Sequence, residues 1–136
     1  MKTSATLSAT DSSLSEWNHL IDRLVNEVSS WAAERTDWRE ERHTENRNEK
    51  TGLYHFPVLV IHTPKGELTL EPIPRREDGA KVRAYLYAWP TLNRVRLVSD
   101  DGVGGWEIIT DSGIPLRQPW NRRTFDTLAN DLLTAV

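Results

Sequence analysis

From Trp17 to Ala32 the apolar residues recur three and four positions apart. Trp17, Leu20, Ile21, Leu24, Val25, Val28, Trp31 and Ala32 form one stripe, with Glu16, Asp22, Arg23, Asn26 and Glu27 on the other side. That spacing predicts an amphipathic helix packed by its apolar face. Ser13 and Glu16 stand at the S-x-x-E interval of a capping box, which sets the expected helix start at Ser13. A second stripe of Phe125, Leu128, Ala129, Leu132 and Leu133 predicts a helix from 122 to about 134. Asn121 is a good N-cap for it, and Trp120 with Phe125 forms a hydrophobic staple across its first turn.

Between the two helices the period changes to two. In the stretch Ala80 to Val98, Val82, Ala84, Leu86 and Ala88 alternate with Arg83, Tyr85, Tyr87 and Trp89, and Val95 and Leu97 alternate with Arg94 and Arg96. This reads as a long hairpin with a Pro90-containing turn, small aliphatics on one face and an Arg/aromatic row on the other. Leu53 to Thr63 is a β-branched and aromatic strand, and Thr63-Pro64-Lys65-Gly66 is a turn with Pro second and Gly fourth. Pro57 has no N–H for a ladder, so that position turns outward or carries a bulge. The return strand Glu67 to Glu71 is expected to stop at Pro72 and Pro74. Trp106 to Thr110 is a short strand, and Ile114 to Leu116 is at most another, interrupted by Pro115. Polar turns are expected at 75–79, 99–102 and 111–113.

Residues 36 to 50 resist a single reading, because Trp38 is their only large apolar residue and a helix there would have almost nothing to bury. A charged edge strand from 38 to 45, with Trp38, Glu40, Arg42 and Thr44 on one face, is preferred; a short helix capped by Asp37 is the alternative. The whole is an α+β chain: an N-terminal helix, an antiparallel meander of five to six strands, and a C-terminal helix, packed as a two-layer sandwich. Residues 1–11 read as a disordered tail and residues 12–136 as one domain.

Composition narrows the chemistry. There is no cysteine, hence no disulfide framework, thiolate nucleophile or thiolate metal site, which agrees with an expected cytoplasmic location. No run approaches the roughly 20 apolar residues of a membrane-spanning helix, and the first residues lack a signal-peptide core, so no membrane partner is expected. His19, His43, His55 and His62 are poorly spaced for a metal site, His55 and His62 having no second His or carboxylate at a ligand-like interval, and neither a metal nor another cofactor is expected. Asp111-Ser112-Gly113 resembles the Asp-Ser/Thr-Gly signature of aspartic proteases over three residues, but Ile114 stands where that family places a small residue, and an ordinary hairpin turn is the preferred reading. Phosphate-loop, dinucleotide and nucleophile-elbow patterns do not occur. No catalytic residues emerge.

One surface remains. Net charge is −3, yet between Arg75 and Arg96 six cations (Arg75, Arg76, Lys81, Arg83, Arg94, Arg96) meet two acids (Glu77, Asp78). Arg83, Tyr85, Tyr87, Trp89, Arg94 and Arg96 are the candidate binding residues. Either these aromatics are core beneath the helices, ringed by arginine stems, or they form an open face combining stacking rings with guanidinium groups. A two-layer fold needs large residues under its helices, which favours the first. The open face suits a protein partner bound there or at a sheet edge. The alternative is a single-stranded nucleic-acid-binding module using the hairpin 75–98, and a small hydrolase is a third. Oligomeric state is not encoded in any of these patterns.

Overall fold

The computed structural model describes residues 9–49, 52–74, 82–99, 105–110 and 117–134. Helix α1 (Ala9–Ala32) leads into seven strands: β1 (Arg39–Glu49), β2 (Gly52–Thr63), β3 (Gly66–Ile73), β4 (Val82–Trp89), β5 (Arg94–Ser99), β6 (Glu107–Thr110) and β7 (Arg117–Pro119). Helix α2 (Arg122–Leu133) closes the chain. The strands form one antiparallel sheet in sequence order, a pure meander, with two helices packed on it as an α+β sandwich. The described strands number seven, against the five to six expected.

α1 begins one turn before Ser13, so the box at Ser13 is interior and residues 9–11 are helical. Once the stripe from Trp17 to Ala32 has nucleated the helix, extension costs little, and neither Gly nor Pro stands between Ala9 and Ser13 to stop it. Trp17, Ile21, Leu24, Val25 and Val28 are all buried, so the expected face is the docked one. At α2 the local signals hold. The Asn121 side chain accepts from the Thr124 N–H at 3.0 Å, and the Thr124 hydroxyl accepts from the Asn121 N–H at 2.9 Å. Trp120 and Phe125 lie 5.7 Å apart between ring centroids, as a staple requires. Phe125 is surrounded by Trp31, Trp38 and Trp120 at 5.4 to 6.3 Å, which joins the two helices and the start of β1.

The charged segment is a strand, β1, longer than expected and at the sheet edge. It is held by the full β2 ladder, and its Glu40 and Arg42 side chains reach Ser29 and Asn26 of α1 at 2.5 and 3.1 Å. Pro72 does not stop β3, which runs on to Ile73. The β2–β3 ladder ends at Leu59–Leu70, and the same register would set Pro57 opposite Pro72, two residues without an N–H. Pro72 therefore loses nothing on the β2 side while it still faces Ala84 of β4. No bulge interrupts the β1–β2 register at Pro57. Beyond Leu59 the β1–β2 ribbon continues alone, and its buried set shifts from Leu59 and Ile61 to Tyr54, Phe56 and Val58. Two-stranded ribbons twist more than wide sheets. The twist lays Tyr54 and Phe56 against the Trp17 ring at 5.1 and 5.9 Å.

The strand expected at 114–116 lies outside the described residues, as do the tail at 1–8, the loop at 75–79, the Asp100–Gly102 part of the next turn and Asp111-Ser112-Gly113. The last described strand is Arg117–Pro119 instead.

Candidate interaction face

The hairpin β4–β5 has the expected alternation. Val82, Ala84, Leu86 and Ala88 are buried in the core with the helices, and Arg83, Tyr85, Tyr87 and Trp89 point to the other side of the sheet. The reading that placed the aromatics beneath the helices is therefore corrected. The large residues under the helices come from α1 itself, from Phe125, and from Leu59, Ile61, Leu68 and Leu70, while Ala84 and Ala88 leave room for close approach.

The aromatic row is flanked differently on its two sides. Cross-strand pairing sets Glu71, Tyr85 and Arg96 in one line, Thr69, Tyr87 and Arg94 in the next, and Glu67 beside Trp89. Carboxylates thus lie along β3, rings along β4 and guanidinium groups along β5. The diagonals tie them together: the Tyr87 hydroxyl donates to Glu71 at 3.0 Å, and the Arg94 guanidinium sits 4.4 Å over the Tyr85 ring. Burial, and then the bond to Glu71, push the Tyr87 phenol above its ordinary pKa, so it remains a neutral donor.

Exposure is graded along the row. Arg83 is only 9% exposed and its cross-strand partner Val98 is buried with it, so that end of the face is covered and Arg83 is not an accessible contact; Ile109, beside Arg96 on β6, is buried too. Tyr85, Tyr87 and Arg96 are half-buried, Arg94 is exposed, and Trp89 is 59% exposed. Beyond Trp89 the turn presents Leu92, 68% exposed and left-handed at φ 67°. The turn is held in place from behind. Thr91 and Asn93 donate to the Leu132 carbonyl at 2.6 and 3.0 Å, capping the end of α2. Gly66, at φ 149°, tucks the β2–β3 turn beneath it, where any Cβ would collide with the Trp89 carbonyl oxygen. Leu is a poor residue for the left-handed region, and at this exposure its side chain loses little when removed. Leu92→Gly is therefore expected to raise stability by roughly 0.5 to 1 kcal/mol, read as a higher denaturant midpoint at unchanged slope.

Sequence spacing missed a second cluster on this face. His62 of β2 lies between Glu41 of β1 and Glu67 of β3, with Nε2 2.6 Å from the first carboxylate and Nδ1 3.3 Å from the second. Only the register of three strands brings these residues together, which no interval along the chain reveals. The hydrogen bond and charge of His62 hold the Glu41 carboxyl below the ordinary glutamate value. A lowered carboxylate pKa adds stability that is complete above the ordinary glutamate range and fades as pH falls through the lowered midpoint. Carboxyl chemical shifts followed against pH should give Glu41 a midpoint below that of free glutamate, and His62→Gln should move it back up. Among the described residues no group of three His, Cys, Asp or Glu side chains is arranged to hold a metal ion.

A cleft of about 320 Å³ opens between the α1 C-terminus, the β2–β3 turn and α2, lined by Arg35, Trp38, Lys65 and Asn130 among others. Its polar groups already engage one another. Arg35 stacks 4.5 Å over Trp38 and pairs with Asp126 at 3.3 Å, and the Lys65 ammonium donates to Asn130 at 3.2 Å. It serves as a junction of three elements.

Among the described residues no helix is long and apolar enough to cross a membrane. Comparison of the chain with protein-family models, with curated proteins and with solved structures finds no match.

Proposed function

We propose that this is a non-enzymatic interaction domain that takes a protein partner on the open face of β3, β4 and β5. The observation that carries the reading is the partly exposed aromatic row Tyr85, Tyr87, Trp89, set between a carboxylate row and a guanidinium row on the side away from the helices. Aromatic and arginine side chains are the groups in which binding energy concentrates, and a rigid sheet presents them at little entropic cost.

Two further features favour this face over the sheet edges. β1 is charged along almost its whole length, and β7 is three residues long and ends in a proline. Both are the features by which edges resist strand addition. The carboxylates of Glu67 and Glu71 beside the rings favour a protein over a nucleic acid, whose phosphates they would repel.

A photo-crosslinking amino acid at position 87 tests the reading against the same label at Thr44 on β1 and at Arg23 on the outer side of α1. Crosslinks to protein formed from position 87 alone, and lost in Trp89→Ala, are expected. Crosslinks from Thr44 alone would move the site to the edge. Labelled single-stranded DNA and RNA, titrated at low and physiological salt, provide the other arm. Tight, salt-sensitive binding that disappears in Arg94→Ala with Arg96→Ala would replace the protein-binding reading with nucleic-acid binding.

A further inference from the structure

We infer that the partner this face fits is a second copy of the same chain, joined about a two-fold axis that runs along β4 in the plane of the contact. The inference rests on the reading of the face as a binding surface and adds the identity of the occupant. It comes from the order of the three rows. Strands in a sheet are about 4.8 Å apart, so the carboxylates of β3 and the guanidinium groups of β5 stand roughly 10 Å apart with the rings between them. A rotation of 180° about an axis parallel to the ring row turns a second sheet to face the first and exchanges left for right. Each carboxylate row then lies over the other copy's guanidinium row, and the rings lie over rings. A two-fold axis at right angles to β4 would stack like charge on like charge. The charge order therefore selects one symmetry operator out of two, and the resulting contact is isologous, as in most homodimers.

The register supplies the pairs. Glu71 and Arg96 occupy one line across the sheet, so Glu71 of each copy meets Arg96 of the other. Glu67 stands one line from Arg94, within reach of a long side chain. Tyr85, Tyr87 and Trp89 each meet their own equivalents, with Leu92 of the anchored turn at the rim. Face-to-face sheets pack about 10 Å apart with interdigitated side chains, which the graded exposure of this row permits. Three strands make a patch smaller than the roughly 800 Å² per partner of a standard interface, and the covered end at Arg83 reduces it further. The dimer is accordingly weak and salt-sensitive, with self-association in the micromolar range or above.

Sedimentation equilibrium of the full chain, from micromolar to millimolar concentration, tests this. Wild type should rise from monomer to dimer mass, and high salt should lower the dimer fraction. Glu67→Arg with Glu71→Arg makes both flanks positive, and Arg94→Glu with Arg96→Glu makes both negative, so each variant alone should stay monomeric. An equimolar mixture of the two should regain the dimer, because every contact is again between opposite charges; a folding defect cannot be repaired by mixing. The single-swap pair Glu71→Arg and Arg96→Glu gives the same readout should a double variant lose its cooperative melt. A wild type that remains monomeric throughout, charge-swapped variants that still dimerise alone, or folded variants that fail to recombine would each overturn the inference. A monomeric wild type that crosslinks from position 87 to a different protein would leave the binding face intact and refute only its occupant; one that does neither refutes both.

Discussion

Removing residues 121–136 is expected to leave a chain that aggregates or unfolds without a cooperative transition. Phe125, Ala129, Leu132 and Leu133 are buried against the sheet and α1. Truncation of single buried Phe or Leu side chains already costs about 2 to 5 kcal/mol each. The whole stability of a domain this long is on the order of 7 to 20 kcal/mol. The deletion also strips Trp31 and Trp38 of the ring between them, and takes from Thr91 and Asn93 the carbonyl of Leu132 that fixes the β4–β5 turn. Circular dichroism during heating, with size-exclusion chromatography, checks this. A soluble truncation with a sharp melt would make α2 a peripheral arm.

Leu24→Ala is expected to cost about 2 to 5 kcal/mol. Leu24 is 1% exposed, in the middle of the α1 stripe. The helix is anchored on both sides of it, so the surroundings have little freedom to collapse into the void. Chemical denaturation should show a lower midpoint at unchanged slope. A loss below about 0.5 kcal/mol would mean that α1 is not docked by this face.

The truncation and the Leu24 substitution both fall where the amino-acid sequence was most legible. The α1 stripe and the Trp120–Asn121–Phe125 start of α2 are written in residues a few positions apart, so local spacing is enough to read them. The β4–β5 alternation was legible for the same reason, but not which of its faces the helices would cover. That depended on whether α1, β2 and Phe125 could supply the bulk of the core, a matter of summed volume across the fold. Pro72 shows the same limit. Its place inside β3 is harmless because the neighbouring ladder ends before it, and nothing beside Pro72 in the chain signals that. The carboxylate row of Glu67 and Glu71, the clamp on His62 and the burial of Arg83 all depend on strand register, and they became visible only when the strands were paired.

The end of the β2–β3 ladder at Leu59 and Leu70 also divides the sheet into parts of unequal permanence. Among the described strands, the portion of β2 from Gly52 to Val58 pairs with β1 alone, a charged strand that is itself an edge. It is held to the rest of the molecule by Tyr54 and Phe56 against Trp17, by the burial of Val58, and through β1 by the bonds of Glu40 and Arg42 to α1. Such a ribbon can open while the sheet from β3 to β5 stays closed, because the two share few backbone bonds. In native-state hydrogen exchange the amides of this ribbon should therefore report a sub-global opening, distinct from and faster than the global unfolding seen at Leu68, Leu70 and Leu86. The chain then has two tiers of cooperativity inside one meander, divided where the β2–β3 ladder stops short of Pro57 and Pro72, two prolines fifteen residues apart in sequence.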